Sequence, residues 1–137
     1  MPTDRFQRQA TLALRGDFGP LRPWQREAYE AGLRWGVRAT TPLIVTQYNG
    51  KEKSGKVDGS GVPCTLRTAA SNKIRRNTYI WTEETGVRQV LDSGSHANDG
   101  KAAGLGGTWV DAWYPTAGAA ARAGINGWTP LAGAVIR

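Results

Sequence analysis

Apolar residues follow two different spacings along this chain. Trp24, Ala28, Ala31 and Trp35 recur at helical intervals just after Pro23, which suits a first turn, so the pattern predicts an amphipathic helix with that stripe turned to a core. Residues 1–20 are mixed and end in Gly16-Asp17-Phe18-Gly19-Pro20, which reads as an arm or a loosely docked segment. From Thr41 onward the runs shorten. Leu43-Ile44-Val45-Thr46-Gln47-Tyr48 predicts a strand, and a polar glycine-rich loop follows over 49–61. Further strands are expected over 66–70, 78–82, 87–91, 108–114 and 132–136, with Glu83-Glu84-Thr85-Gly86 as a hairpin turn. Between the last two strands, 117–123 predicts a short helix with Thr116 as its cap and Gly124 as its stop. Six short strands with one small helix before the last describe a mainly β chain closed into a small barrel. The expected organisation is an arm and amphipathic helix over 1–40 and a β domain over 41–137. No internal repeat is visible.

Composition agrees with short strands and many turns: 137 residues, 39% hydrophobic, with 18 glycines and 7 prolines. That length suits one domain. Six tryptophans are many for the size, so some belong to the core and several to a ligand surface. A net charge of +7 favours polyanions, whether nucleic acid, an anionic membrane or the anionic bacterial wall. Lys73, Arg75 and Arg76 form the densest basic group and read as a solvated strand edge. The single cysteine, Cys64, excludes an internal disulfide, a zinc knuckle and a redox pair, and reads as a small core residue rather than as a nucleophile paired with the lone His96. Neither a metal nor a cofactor is expected. No stretch has the apolar length of a membrane span, and the first residues lack the apolar core of a secretory signal, so the expectation is synthesis in the cytoplasm. Gly50-Lys51-Glu52-Lys53-Ser54-Gly55-Lys56-Val57 nearly spells a phosphate-binding loop. Val57 lacks the hydroxyl that would hold Mg²⁺, and the residues after it cannot open a helix, which argues against nucleotide hydrolysis.

Candidate chemistry concentrates at two aspartates. Asp92 ends the apolar run of Val90-Leu91-Asp92-Ser93-Gly94-Ser95, and Asp111 stands within Trp109-Val110-Asp111-Ala112-Trp113-Tyr114. A carboxylate fixed at a strand end beside a loop is suited to general acid/base work, and apolar surroundings help a carboxyl hold its proton near neutral pH. Aromatic faces beside Asp111 suit sugar rings. The alternative is a pair of turn aspartates that cap backbone N–H groups.

In their order, these segments resemble the three-aspartate (3D) domain and the related membrane-bound lytic transglycosylase A family, both double-psi β-barrels. Four blocks carry the resemblance. Thr46-Gln47-Tyr48 is similar to the family's Thr-x-Tyr strand, and the stretch from Ala69 to Ile80 to its "Ala-x-Asp-Pro-x-x-Ile-Pro-x-Gly-Thr" block. Val90-Leu91-Asp92-Ser93-Gly94 is similar to "Val-x-Asp-x-Gly-Gly", and Trp109-Val110-Asp111-Ala112-Trp113 to "Arg-x-Asp-Ile-Tyr". It covers about 41–136. Ser71 stands where the family has its first aspartate, and the 95–107 connection is longer than the family's.

The resemblance implies a six-stranded double-psi barrel that cleaves the β-1,4 bond between N-acetylmuramic acid and N-acetylglucosamine in peptidoglycan. Asp111 would be the catalytic acid/base, forming a 1,6-anhydro product, with Asp92 orienting the site. Thr46, Tyr48, Trp109, Trp113 and Tyr114 would line the sugar groove. The expected partner is the glycan strand, at the bacterial wall, with a phage-encoded or virion-associated protein as the fitting source. Virion contacts or contacts between copies would fall to residues 1–40. A non-catalytic, expansin-like wall-binding or phage structural module on the same barrel is the alternative. Nucleic-acid binding rests on charge and aromatics alone and lacks a recognisable motif.

Overall fold

The computed structural model describes residues 2–39, 42–49 and 64–136. The polar loop expected after Asn49 and the Gly50-to-Val57 near-motif lie outside the described residues. In chain order the elements are helices α1 (Pro2–Leu14) and α2 (Pro23–Trp35), and strands β1 (Val37–Ala39), β2 (Leu43–Tyr48), β3 (Thr68–Ala70), β4 (Tyr79–Thr82) and β5 (Gly86–Asp92). Helix α3 (His96–Gly104), β6 (Thr108–Trp113), helix α4 (Ala117–Arg122), β7 (Thr129–Leu131) and β8 (Gly133–Ile136) complete it. The strand-rich character expected from composition is present, with more helix than the pattern predicts. No helix among the described residues is long and apolar enough to cross a membrane.

Eight strands, rather than six, form one sheet in the order β1-β8-β4-β5-β3-β6-β2-β7. The additional pieces are the short β1, which pairs antiparallel with β8, and β7, which pairs antiparallel with β2. Only Ala132 separates β7 from β8, and β8 pairs with β4. Thus one short stretch of chain touches strands near both ends of the order. Two pairs are parallel, β2 with β6 and β3 with β5; the rest are antiparallel.

Alternation places Leu43, Val45, Val90, Val110 and Ala112 in one buried cluster with Ile80, Val135 and Tyr114. Helix α4 covers part of it through Ala120. The Thr116 hydroxyl accepts from Ala119 N at 3.0 Å and Gly124 follows at φ 90°, as the sequence predicted for its cap and stop.

Three local expectations change. The arm expected over 1–20 contains α1, whose Phe6, Ala10 and Ala13 are buried against α2 and the sheet. The charges at Asp4, Arg5 and Arg8 mask this stripe in the sequence, because they lie on the exposed side of the same helix. On α2 the buried residues are Ala28, Tyr29 and Gly32, while Trp35 is 67% exposed. Gly32 is needed there: a Cβ at that position would run into the Phe6 ring. Finally, the glycine-rich 95–107 connection holds α3. Ser95 caps it by accepting from Ala97 N at 3.3 Å, and buried Ala102 docks it.

Candidate functional site

The pairing of β2 with β6 builds one face residue by residue. Ile44 stands opposite Trp109, Thr46 opposite Asp111 and Tyr48 opposite Trp113. Partners across a ladder point to the same side, so these six side chains share a face opposite the Val110 and Ala112 side of β6. Strand β3 extends it: Ala70 pairs with Asp111 on one side and with Asp92 on the other. The two aspartates therefore flank a single small residue, about 10 Å apart at Cα by two interstrand spacings. Alanine between them leaves room above the strand.

Hydrogen bonds fix this arrangement. Trp109 Nε1 donates to Thr46 Oγ1 at 3.0 Å, and Thr46 Oγ1 donates to Asp111 Oδ1 at 2.8 Å. A hydroxyl has one proton, and the indole can only donate, so the chain runs in one direction and ends on the carboxylate. Asp92 is 7% exposed, and its backbone carbonyl accepts from Ser71 N at 3.0 Å. Ser71, at the position of the family's first aspartate, donates from Oγ to the Trp109 carbonyl at 2.9 Å. It thus ties β6 to the turn after β3 where a third carboxylate would otherwise stand.

Tyr48 links the parts electrostatically. Its hydroxyl lies 4.0 Å from Cys64 Sγ. Burial pushes its pKa up, and the neighbouring Cys64, Asp111 and Asp92 push it further in the same direction. Tyr48 is consequently a neutral O–H donor set among carboxylates. Cys64 is buried beside it, as the sequence predicted for a small core residue. His96 belongs elsewhere, at the exposed start of α3, 3.6 Å from Asp99.

No protein-family model matches the chain, and no curated protein matches it. Geometry must carry the functional argument.

Of the residues singled out in the sequence, Asp92, Asp111, Thr46, Tyr48, Trp109 and Trp113 come together. Tyr114 does not join them. It is one position past Trp113, and alternation turns it into the core on the other side, where the Arg88 guanidinium lies 4.5 Å over its ring. Trp109 is 2% exposed, so it supports the site from below rather than offering a face to a sugar. Its indole packs on Gly94, where an added Cβ would sit 2.5 Å from Trp109 Cη2.

Several contributors were not legible in the sequence. Asn72 holds the turn after Asp92: its Oδ1 accepts from Gly94 N at 3.0 Å, and its Nδ2 donates to Asp99 Oδ2 at 3.2 Å and to the Ser95 carbonyl at 3.3 Å. An asparagine in a polar loop gives no pattern by which to find it. Lys73, Arg75 and Arg76 are not a strand edge; they lie in the turn between β3 and β4, and with Asp92 they line a depression of about 370 Å³. Their density in the sequence was the available signal. Among the described residues no group of three metal-ligating side chains comes together.

Proposed function

We propose that this chain is a peptidoglycan lytic transglycosylase built on a double-psi β-barrel, with Asp111 as general acid/base. The observation that carries the reading is the placement of Asp92 and Asp111 on either side of Ala70, with the Trp109-to-Thr46 hydrogen-bond chain ending on Asp111.

The strand order supports the barrel. β7 and β8 bring both ends of the order into one short stretch, as closure requires. Exchanging β2, β3 and β4 for β5, β6 and β8 turns the parallel pair β2·β6 into the parallel pair β5·β3. The same exchange leaves β3·β6 and β4·β8 as they are. Such an interlocked, duplicated order supports the double-psi reading.

In the proposed mechanism Asp111 first protonates the glycosidic oxygen, and the bond to C1 breaks. The resulting carboxylate takes the proton from the muramoyl 6-hydroxyl as that oxygen attacks C1, closing the 1,6-anhydro ring. Protons balance on one residue, so no activated water is needed. Thr46 holds the Asp111 carboxyl in one orientation, and donates to it while it is ionised. Asp92 adds negative charge that favours an oxocarbenium-like transition state, and Tyr48 offers an O–H to a sugar oxygen.

A wall-binding module without turnover is favoured by one observation, the replacement of the third carboxylate by Ser71 and its engagement with the Trp109 carbonyl. Digestion of purified sacculi with mass analysis of the soluble products separates the two. Anhydro-muropeptides that disappear in Asp111→Asn support the enzyme; sacculus binding with no released product supports the module.

A further inference from the structure

The largest cleft is not the aspartate face. It lies between α2, the β4–β5 turn and the end of β6, has a volume of about 780 Å³, and is lined by neither Asp92 nor Asp111. That size falls within the range of small-ligand sites.

Its floor holds an unusual cation. Arg88 on β5 is 2% exposed, and forms no ion pair among the described residues. Its Nη1 donates to the carbonyls of Thr68 at 3.0 Å and Trp113 at 2.5 Å, which fixes the guanidinium beneath the cleft. Its Nε has no partner among the described residues. Burial pushes its pKa down, and the groups that pull it back are tyrosines, Tyr114 and Tyr48, not carboxylates. Since arginine stays charged in proteins, a buried guanidinium without a counter-anion is costly and is normally paired.

The neighbouring groups show the same imbalance. Trp113 Nε1 and the Tyr114 hydroxyl, both on residues lining the cleft, are buried without a hydrogen bond within normal limits, although Tyr114 lies close enough to Arg88 to favour its charge. All three unsatisfied groups can donate, so the cleft has donors in excess of acceptors. At the mouth, Arg67 stacks over Trp24 at 5.2 Å and is held by donating Nε to Gln89 Oε1 at 2.9 Å. Arg22 adds a further cation, and Glu84 is the only carboxylate among the lining residues.

We propose that this cleft binds a short peptide-type ligand, its carboxylate held by the arginines and its apolar side chain laid against Trp24 and Tyr29. A carboxylate supplies the acceptor oxygens and the negative charge that the lining lacks, and arginine forks match its geometry. The inference is independent of the glycan-cleaving reading, and its test has no turnover readout.

The test titrates the full chain with N-acetyl-alanyl-phenylalanine, with the same compound as its C-terminal amide, and with inorganic phosphate, following the tryptophan indole resonances by NMR. The expected result is saturable movement of Trp24 and Trp113 with the acid, and binding of the amide weaker by about tenfold or more. Arg67→Gln, a change at the mouth outside any strand, should weaken the acid by about tenfold and leave the amide unchanged. Equal binding of acid and amide overturns the proposal, as does no saturation with the acid. Phosphate binding as tight as the acid overturns the role given to the apolar body. Movement confined to Trp109, on the aspartate face, overturns the location.

Discussion

The two sides of this molecule cover the same sheet in opposite ways. On one side α1 and α2 lay an aromatic cluster against β4, β5 and β8: Phe6 meets Trp81 edge-on at 5.6 Å and lies 6.0 Å from Tyr29. On the other side the face of β2 and β6 carries a polar chain, Trp109 to Thr46 to Asp111, with only the short α3 packed on it through Ala102. The helical side holds the sheet by burial. The aspartate side gives up part of that burial to hold carboxylates in fixed positions. Stability and chemistry should therefore respond separately to mutations on the two sides.

Asp111→Asn gives the largest expected effect. The amide keeps the shape and still accepts from Thr46, but cannot donate and reclaim a proton, so turnover of sacculi should fall by roughly 10²–10⁴-fold or more. The melting transition should barely move. Asp92→Asn, which only alters the charge beside the reacting carboxyl, should cost less. Retained anhydro-product release in Asp111→Asn would remove the assignment.

Phe6→Ala is the counterpart on the helical side. Phe6 is fully buried and touches both Trp81 and Tyr29, so its loss should cost about 3–5 kcal/mol in a urea titration. Activity per folded molecule should stay at the wild-type level. A large fall in turnover of the folded fraction would mean that the two sides are coupled.

Gly94→Ala tests the support beneath the aspartates. The added methyl would stand 2.5 Å from the Trp109 ring, so the indole must shift and its bond to Thr46 must stretch. Overpacking of this kind costs roughly 1–3 kcal/mol. Activity should fall as well, because Asp111 loses its fixed orientation. An unchanged melting temperature with unchanged turnover would show that Trp109 does not position the site.

This division was only partly legible in the sequence. Alternation gave β2 and β6 nearly to the residue, because Leu43, Val45, Val110 and Ala112 are apolar on the buried face and Thr46 and Asp111 are polar on the other. It failed at the termini of the pattern. Phe6 and Ala10 are too sparse among charges to announce α1, and the glycines at 100 and 104 disguise α3, which docking rather than propensity stabilises. The duplicated strand pairing left no repeat in the sequence, since pairing is made by the backbone and different side chains satisfy it. Tyr114 was assigned to the groove through its neighbour, although a one-residue step along a strand reverses the face.

The smallest expected effect compares one tyrosine from each side. Tyr29, in the helical cluster, and Tyr48, on the aspartate face, both have raised pKa values, and burial is the first cause of each. They differ in the second cause: Asp111 and Asp92 push Tyr48 further up, whereas the backbone hydrogen bond with Val87 pulls Tyr29 back. In the unfolded chain both ionise near pH 10. Above that pH the unfolded state binds fewer protons than the folded one, so stability is full below about pH 10 and declines as pH rises toward the folded values. Each buried tyrosine can contribute up to about 1.4 kcal/mol per pH unit to the decline. Replacing Tyr48 by Phe should flatten the alkaline arm of stability over a wider pH range than Tyr29→Phe does. Asp111→Asn and Asp92→Asn should each lower the pH at which the last tyrosinate absorbance appears in the folded protein. If those two variants leave the tyrosinate titration unchanged, Tyr48 does not feel the carboxylates, and the aspartate face is less tightly knit than the hydrogen-bond chain implies.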